Sequence, residues 1–215
     1  SSMDHKRALD NDEGLNTGGM GTVAPNPYYT EEIAKSCMEE IFLPTINAMN
    51  AEGRPFKGCL YFGLMITPKG VKVIEYNCRF GDPETQVVLP LLESDLLEIM
   101  QAVAEERLAE LDIKWKKGHA CCVIMASAGY PQSYQKGFRL DIPQEIAGDV
   151  FVAGAKIEDG ILKTNGGRVL GVTSVEESLE KAIAASYAKV EKISFENAFW
   201  RKDIGQRALK AGEKK

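Results

Sequence analysis

The sequence contains only two histidines, His5 and His119, which excludes a mechanism that needs several imidazole groups. It also lacks an apolar run of about 20 residues, the length that a membrane-spanning helix needs. Residues 1–10 are polar and contain no apolar core of a signal peptide. We therefore expect no membrane partner.

Paired cysteines are missing as well. The chain has five cysteines, an odd number, and none has the Cys-x-x-Cys spacing that is typical of zinc and redox sites. Most of them stand in apolar runs, where a free thiol behaves as a small hydrophobic group. Free thiols favour a reducing compartment, so we expect a cytoplasmic location.

An excess of positive charge is also absent, since the formal net charge is −5. This acidic balance argues against nucleic acid as a partner. It still permits phosphate ligands, because a few cations and a metal ion can bind them locally. With 215 residues, 44% of them hydrophobic, the chain is long enough for one large domain or two small ones.

The first half of the chain has clear helix and strand patterns. Thr30 is a typical N-cap and predicts a helix start, and Pro44 predicts a kink or an interruption of that helix. Residues 58–67 and 71–79 predict the two strands of a hairpin, with both faces of the first strand covered. Ser94 predicts the N-cap of a further helix.

The second half predicts an antiparallel sheet with one helix packed on it. Asp159-Gly160 and Asn165-Gly166 are typical hairpin turns, and Ser174 begins a capping-box pattern that predicts the helix. The strands are predicted at Ala120–Met125, Val150–Ile157, Ile161–Thr164 and Arg168–Thr173. A lysine-rich connector precedes them, so we predict an α+β fold with domains at residues 1–112 and 113–215.

Polar side chains at the end of the second hairpin strand form the strongest functional pattern. Alternation along a strand puts Glu75, Asn77 and Arg79 on one face. The acid and the amide offer hard oxygen ligands for magnesium or manganese, and the guanidinium offers a planar donor for phosphate or carboxylate. The alternative is a solvated strand face with a Glu–Arg ion pair, and the spacing alone leaves both open.

Three further segments are weaker candidates. The glycine-rich stretch Asn16–Gly21 would let backbone N–H groups approach an anion, but it lacks the lysine of a P-loop, and the pattern alone favours a plain turn. The charged cluster Asp4–Arg7 fits a solvated tail or an anion-binding edge. Gly166-Gly167-Arg168 fits a hairpin tip or a nucleotide contact.

Together these motifs resemble phosphoribosylamine–glycine ligase, also called glycinamide ribonucleotide synthetase, a family of ATP-grasp enzymes in purine biosynthesis. The resemblance covers nearly the whole chain, through several motifs that occur in order. They are Asp4–Arg7, Asn16–Gly21, Glu75–Gln86, Ala126–Pro131, Gly166–Thr173 and Phe199–Gly205.

The resemblance implies only about the C-terminal half of such an enzyme. The expected fold is the C-terminal part of an ATP-grasp domain, a mostly antiparallel sheet with helices, followed by a small antiparallel α+β domain. The N-terminal domain and most of the ATP-binding lid would lie outside this sequence. The isolated chain is therefore expected to be inactive.

By resemblance, the whole enzyme uses ATP with Mg²⁺ or Mn²⁺ to join glycine to 5-phosphoribosylamine. The glycine carboxylate attacks the γ-phosphate and forms an acyl phosphate, and the amine then displaces phosphate. Glu75 and Asn77 match the metal-ligand positions of the family. Arg79 would hold the glycine carboxylate or the acyl phosphate, and Asp82 would orient that arginine or the substrate amine.

The other family positions would line the same cleft and contact substrate or phosphate. They are Asp4, Lys6, Asn16, Thr17, Gly18 and Gly19. Many ATP-grasp enzymes carry a further acid on the preceding strand, whereas residues 60–66 here contain none. This departure puts a second metal ion in doubt.

Two other interpretations remain open. The chain could be a non-catalytic subunit that needs a complementary N-terminal half or associates with itself, because a divided ATP-grasp domain exposes interior surface. It could also belong to another ATP-grasp ligase with a related site. The Gly-Asp-Pro-Glu-Thr motif at 81–85 and the glycine-rich stretch favour the first-named family over that last interpretation.

Overall fold

The computed structural model describes residues 1–212, which form two compact units made from interleaved parts of the chain. The sheet unit comprises Ser1–Asn26, Asp82–Leu91 and the chain from Lys116 onward. The hairpin unit comprises Pro27–Gly81 and Leu92–Trp115. No helix within the described range is both long and apolar enough to cross a membrane.

Each element begins and ends as follows. The strands are β1 (Met3–Asp4), β2 (Arg7–Leu9), β3 (Glu13–Asn16), β4 (Gly21–Ala24), β5 (Tyr61–Thr67), β6 (Gly70–Asn77), β7 (His119–Ser127), β8 (Val150–Val152), β9 (Ala155–Glu158), β10 (Ile161–Thr164), β11 (Arg168–Glu176) and β12 (Ala198–Phe199). The helices are α1 (Glu31–Cys37), α2 (Leu43–Ala51), α3 (Thr85–Val88), α4 (Leu96–Ala104), α5 (Leu179–Val190) and α6 (Gln206–Gly212).

The sheet unit is built on one antiparallel sheet in the strand order β1-β4-β7-β11-β8, with β12 also paired to β7. Helix α5 packs on β7 and β11, and α3 packs on the opposite face. The predicted α+β class is thus confirmed. The predicted division at residues 112 and 113 differs from these spatial units, because β4 from the first segment pairs directly with β7 from the second.

Strand β7 is the central strand and is buried on both faces, as the apolar run Ala120–Met125 predicts. Its side chains alternate between a larger cluster with Cys121, Val123 and Met125 and a smaller one with Ala120, Cys122 and Ile124. Burial of each aliphatic side chain of this size contributes roughly 1.5–3 kcal/mol. The two clusters therefore fix the register of β7 with its neighbours.

The hairpin unit begins with a continuous helical stretch. Thr30 is the N-cap as predicted, since its hydroxyl accepts a hydrogen bond from the Ile33 N–H at 3.3 Å. The α-helix is interrupted just before Pro44, as predicted. A π-helical turn at Met38–Phe42 precedes it, and Pro44 then lies in the first turn of α2, where a missing N–H costs little.

The predicted β5–β6 hairpin is confirmed, with the strands paired from Tyr61–Asn77 to Thr67–Gly70. The expectation that both faces of the first strand are covered is wrong, since Met65 and Ile66 on β5 are exposed. Ile74 and Tyr76 on β6 are exposed too. A two-stranded hairpin buries only the part of its surface that a helix covers. Here the ring of Phe42, which follows α1, lies against the tilted ring of Phe62, with 4.5 Å between the ring centroids.

Several other predicted boundaries are wrong for local reasons. Asp95 caps α4 in place of Ser94, because its carboxylate accepts from the Leu97 and Glu98 N–H groups while Ser94 accepts from Lys114. Ser178, and not Ser174, caps α5, because β11 continues to Glu176. The predicted strand Val150–Ile157 divides into β8 and β9. Asn165-Gly166 is not a hairpin turn, because the strands on its two sides do not pair with each other: β10 pairs with β9, and β11 pairs with β7 and β8.

The buried guanidinium of Arg201 ties the N-terminal strands to the C-terminal segment. Arg201 is 1% exposed and forms a two-pronged ion pair with Asp203, with both N···O distances 2.8 Å. It also donates to the Asp12 carboxylate at 3.0 Å and to the Arg7 carbonyl at 3.1 Å. Although burial alone raises the pKa of Asp203, its hydrogen bonds to Arg201 and Asn11 lower that pKa to about 2.

We predict that Arg201→Met destabilises the chain by about 3 kcal/mol, because the substitution removes the buried cation of the network and leaves Asp203 without its arginine, while Asp12 keeps Arg207 at 2.9 Å. Urea unfolding monitored by circular dichroism measures this change. Arg139→Met is the matched control, since Arg139 forms an exposed ion pair with Asp141 and should cost less than about 0.5 kcal/mol. A loss below 1 kcal/mol in Arg201→Met would contradict the role assigned to this network.

Candidate active site

The predicted site residues fall into two groups, one in each unit. Glu75, Asn77 and Arg79 belong to the hairpin unit. The sheet unit holds the others, which are Asp4, Lys6, Asn16, Thr17, Gly18, Gly19 and Asp82. Each group has its own geometry and its own chemistry.

Glu75 and Asn77 lie side by side near the end of β6. The Asn77 side-chain N–H donates to the Glu75 carboxylate at 3.3 Å, so the predicted shared face is confirmed for this pair. Gly63 lies opposite Glu75 on β5, and a Cβ atom there would lie only 2.8 Å from Glu75 Cγ. The absence of a side chain at Gly63 therefore makes room for the Glu75 carboxylate.

Arg79 is not placed by strand alternation, because β6 ends at Asn77 and the chain bends at the next two residues. Its guanidinium donates one hydrogen bond to the Phe80 carbonyl at 2.7 Å. The prediction of a shared strand face is thus correct for Glu75 and Asn77. It is wrong for Arg79, because Arg79 lies beyond the end of the strand.

The Glu75–Asn77 pair fits one divalent cation as a partial ligand set. Both side chains carry hard oxygen atoms, which Mg²⁺ and Mn²⁺ prefer. Within residues 1–212, no group of three or more His, Cys, Asp and Glu residues is arranged to hold a metal. The protein would therefore supply few ligands, as is usual for Mg²⁺ bound together with substrate phosphates.

In the sheet unit, the glycine-rich loop packs tightly between Asp4 and the turn at Asp82-Pro83. Gly19 has φ +119°, and a Cβ atom there would lie 2.7 Å from Asp4 Oδ1 and 2.5 Å from Pro83 Cδ. A side chain at Gly19 would therefore strain the backbone and clash with both neighbours. Glycine is required here by close packing.

The backbone N–H groups of this loop are engaged inside the protein. Thr17 N–H donates to the Lys6 carbonyl, Gly18 N–H to the Tyr130 hydroxyl, and Gly19 N–H to the Thr17 hydroxyl. These three N–H groups are therefore not free to bind an anion, in contrast to the anion-binding interpretation of the glycine-rich stretch. Asn16 lies at the end of β3, in register with Arg7.

Asp4 is a largely buried carboxylate beside two charged side chains. Lys6 Nζ lies 2.9 Å from Asp4 Oδ2, and the buried Glu84 adds negative charge nearby. Burial raises the pKa of Asp4 to about 6, while Lys6 opposes the rise and Glu84 increases it. Such a carboxyl group changes its protonation close to neutral pH, a property common at functional sites.

Asp82 is held from both sides of its carboxylate. Gln86 Nε2 donates to Oδ1 at 3.0 Å, and the Arg168 guanidinium lies 3.2 Å from Oδ2. Arg168 and Tyr130 contact this group, Arg168 through Asp82 and Tyr130 through Gly18, and neither is among the predicted substrate-binding residues. The motif Gly166-Gly167-Arg168 indicates Arg168 as a candidate nucleotide contact. The contact of Arg168 with Asp82 is not predicted by the sequence, because the two residues lie far apart in the chain. The arginine that pairs with Asp82 in the sheet unit is Arg168.

His5 is buried next to Asp4 in a fixed neutral form. The Gly205 N–H donates to His5 Nε2 at 3.2 Å, so the proton is on Nδ1, which donates to the Gly21 carbonyl at 3.0 Å. Burial lowers the pKa of His5 to about 4, and the nearby Arg201 contributes while the Gly21 hydrogen bond opposes the change. His5 therefore has a structural role at neutral pH.

Comparison with known proteins finds two matching family models. Residues 1–85 match the model described as phosphoribosylglycinamide synthetase, ATP-grasp (A) domain. Residues 120–207 match the model described as phosphoribosylglycinamide synthetase, C domain. The predicted division at residues 112 and 113 lies in the interval between the two matches.

Individual relatives agree with these models. A phosphoribosylamine–glycine ligase from Clostridium acetobutylicum is 48% identical over 206 residues, which are 96% of this chain and 50% of that relative. The crystal structure of a phosphoribosylamine–glycine ligase from Thermotoga maritima matches with TM-score 0.85 and 35% identity, over 94% of this chain and 50% of that one. The chain thus spans about half the length of the curated relatives it matches.

A more distant structure shares the fold alone. Biotin carboxylase from Campylobacter jejuni matches with TM-score 0.57 and 18% identity, over 84% of this chain and 40% of that one. The predicted ATP-grasp-type fold is therefore confirmed by both a near and a remote structure.

The neighbouring residues Asp4 and His5 predict a hidden pH dependence of stability. The folded pKa of Asp4 is raised from 3.8 to about 6, so its stabilising contribution is lost as pH rises through 6. The folded pKa of His5 is lowered from 6.5 to about 4, so its contribution is lost as pH falls from 6.5 toward 4. The two effects have opposite signs in overlapping pH ranges and largely cancel in the wild-type chain.

We predict that single substitutions reveal each effect. Relative to wild type, Asp4→Asn should lose about 2 kcal/mol of unfolding free energy between pH 6.5 and 4.5, because only the His5 effect remains. His5→Gln should gain a similar amount over that range. Urea unfolding at both pH values measures the difference from wild type, and parallel pH profiles for all three chains would contradict the assignment.

Proposed function

Because the chain belongs to the phosphoribosylglycinamide synthetase family, we propose that it forms the C-terminal part of an ATP-dependent ligase that joins glycine to 5-phosphoribosylamine. The observation that carries this proposal is the Glu75–Asn77 pair on β6, which lies within the segment that matches the ATP-grasp model. A carboxylate and an amide side by side on one strand face offer hard oxygen ligands for a cation that accompanies nucleotide phosphates.

The reaction needs two group transfers. The glycine carboxylate attacks the γ-phosphorus of ATP, the bond to ADP breaks, and glycyl phosphate forms. The amine of 5-phosphoribosylamine then attacks the carbonyl carbon, phosphate leaves, and the amine loses a proton. Both steps depend mainly on position and on stabilisation of charge, so cationic and hydrogen-bonding side chains matter most.

In this proposal, the hairpin unit supplies the groups for phosphate transfer. Glu75 and Asn77 would hold Mg²⁺ or Mn²⁺, which when bound neutralises charge on the nucleotide phosphates. Arg79 would hold the glycine carboxylate or the acyl phosphate. Its hydrogen bond to the Phe80 carbonyl uses one of the five guanidinium N–H groups, and the planar fork has further donors for two oxygens.

The sheet unit would supply the groups that contact the amine substrate. Lys6 offers a cation for its phosphate, and Asp4 and Asp82 offer carboxylates for its amine. The Asp4 carboxyl has a pKa of about 6, because of its burial, and this value suits a group that exchanges protons near neutral pH. Asn16, Thr17, Gly18 and Gly19 would line the same substrate site.

We also propose that the chain works with further polypeptide, either a complementary N-terminal half or a second copy. Exposed apolar side chains in the hairpin unit support this: Met65, Ile66, Ile74, Tyr76, Leu97 and Trp115. Apolar surface of this kind favours association. No nucleic acid or membrane partner is proposed, and the cytoplasmic location stays a prediction.

Two alternatives are less well supported. Another ATP-grasp ligase would share the hairpin features, but the match of residues 120–207 to the C-domain model favours the proposed family. A purely structural subunit does not explain the Glu75–Asn77 pair or the space that Gly63 leaves for it.

A chimera tests the proposed function. The matched segment of the Clostridium acetobutylicum relative is replaced by this chain, and ADP formation is measured with glycine and 5-phosphoribosylamine. We expect ADP formation that needs both substrates, whereas the chain alone gives no turnover above its Glu75→Ala variant. A folded but inactive chimera, assayed beside an active parent enzyme, would falsify the proposed activity.

Substitutions in the chimera test the site. Asn77→Asp adds negative charge beside Glu75, and Arg79→Lys loses the planar fork that binds two oxygens. Both should lower kcat/KM at least tenfold, which corresponds to about 1.4 kcal/mol of transition-state stabilisation. Cys78→Ser is the control, since Cys78 is exposed and follows the strand end. Normal activity of Arg79→Lys together with an inactive, folded Cys78→Ser would reject the assignment.

A further inference from the structure

Arg168 begins β11, and its backbone is held in place by neighbours on both sides. Its carbonyl accepts from the Gly154 N–H at 2.9 Å, and the Val169 carbonyl accepts from the Ala153 N–H at 2.9 Å. Gly166 packs so closely on Gly154 that a Cβ atom on Gly166 would lie 2.7 Å from Gly154 Cα. The side chain of Arg168 therefore leaves the sheet from a fixed point.

The guanidinium of Arg168 bridges two segments that the sequence interpretation treated separately. Its Nη1 donates to the Gly18 carbonyl at 3.0 Å and to the Asp82 carbonyl at 2.8 Å. Its Nη2 lies 3.2 Å from the Asp82 carboxylate. One planar group thus fixes both the glycine-rich loop and the side chain of Asp82.

Gly18 is in contact with this guanidinium and has no room for a side chain. A Cβ atom on Gly18 would lie 2.9 Å from Arg168 Cζ. On its other side, the Gly18 N–H donates to the Tyr130 hydroxyl at 3.0 Å. The Gly18 peptide is therefore held from both ends by residues of the segment 120–207, the part that matches the C-domain model.

We propose that Arg168 is a positioning residue of the substrate site: its guanidinium sets the Gly18–Gly19 backbone and the Asp82 carboxylate in one arrangement. The proposal rests on the proposed function, since it concerns the same group of residues. The protein acceptors around Arg168 are one carboxylate and three neutral carbonyls, those of Gly18, Gly19 and Asp82, with the Gly19 carbonyl the most distant at 3.5 Å. Arg168 therefore balances the charge of Asp82 while it orients the Asp82 oxygens.

The surroundings of Arg168 differ from those of the structural Arg201. The Arg168 side chain is 20% exposed and lies at the end of a strand, whereas Arg201 is 1% exposed. Loss of Arg168 should therefore release the loop without unfolding the sheet unit. We expect the melting temperature of Arg168→Met to stay within about 3 °C of wild type.

The first experiment uses the 215-residue chain and needs no enzyme activity. Amide–solvent exchange is measured by NMR for wild type, Arg168→Met and the control Arg139→Met, whose arginine forms an exposed ion pair. In Arg168→Met, the Gly18 and Gly19 amides should exchange at least tenfold faster, while the Met20 amide, bonded to the His5 carbonyl, stays unchanged. An unchanged Gly18 amide overturns the proposal.

The second experiment moves the guanidinium without removing it. Gly18→Ala places a methyl group against Arg168, and its control is Gly148→Ala, where a Cβ atom meets nothing within 4 Å. In the chimera, Arg168→Met and Gly18→Ala should each lower kcat/KM at least tenfold, and the double variant should be no worse than the poorer single variant. Effects that multiply would show that the two residues act independently and would reject the proposal.

A comparison of Michaelis constants separates positioning from a general loss of structure. In Arg168→Met, KM for 5-phosphoribosylamine should rise at least fivefold, while KM for ATP and for glycine stays within twofold, because Glu75, Asn77 and Arg79 are untouched. Equal changes in all three constants would contradict a local role. If the wild-type chimera is inactive, the proposed function fails, and the exchange rates still decide the role of Arg168.

Discussion

The ion pair between Arg201 and its two aspartates is the contact on which the sheet unit depends. Arg201 and Asp12 are 189 positions apart in the sequence, yet their side chains meet at 3.0 Å. The segment β2–β3 buries little apolar surface, since Ala8 is its one buried hydrophobic residue within the described chain. Charge pairing therefore does what hydrophobic packing does elsewhere, and it fastens β2–β3 to the C-terminal segment.

Local patterns predicted the parts of the fold that local forces decide. The strand predicted from the apolar run Ala120–Met125 and the turn between β5 and β6 depend on neighbours within a few residues, and both are present. The same holds for Thr30 as an N-cap, and for Glu75 and Asn77 on one face, because a period of two needs no distant partner.

The remainder depends on contacts that no local pattern encodes. The pairing of β4 with β7, and the bridge from Arg168 to Gly18, join segments about 100 to 150 positions apart. The choice of Asp95 over Ser94 as N-cap was decided by a hydrogen bond from Lys114 to the serine. The sequence marks the glycine-rich loop as a candidate anion site. In the structure its glycines allow close packing against Asp4 and Arg168.

The interleaved order of the two units has a consequence for synthesis on the ribosome. Strand β4 is fully buried in the finished sheet, and its partner β7 begins about 95 residues later. At roughly 5–20 residues per second, the edge of β4 that later pairs with β7 stays open for about 5–20 s, while its other edge can already pair with β1. During that interval the open edge can pair with strands of other chains, and slow translation prolongs the exposure.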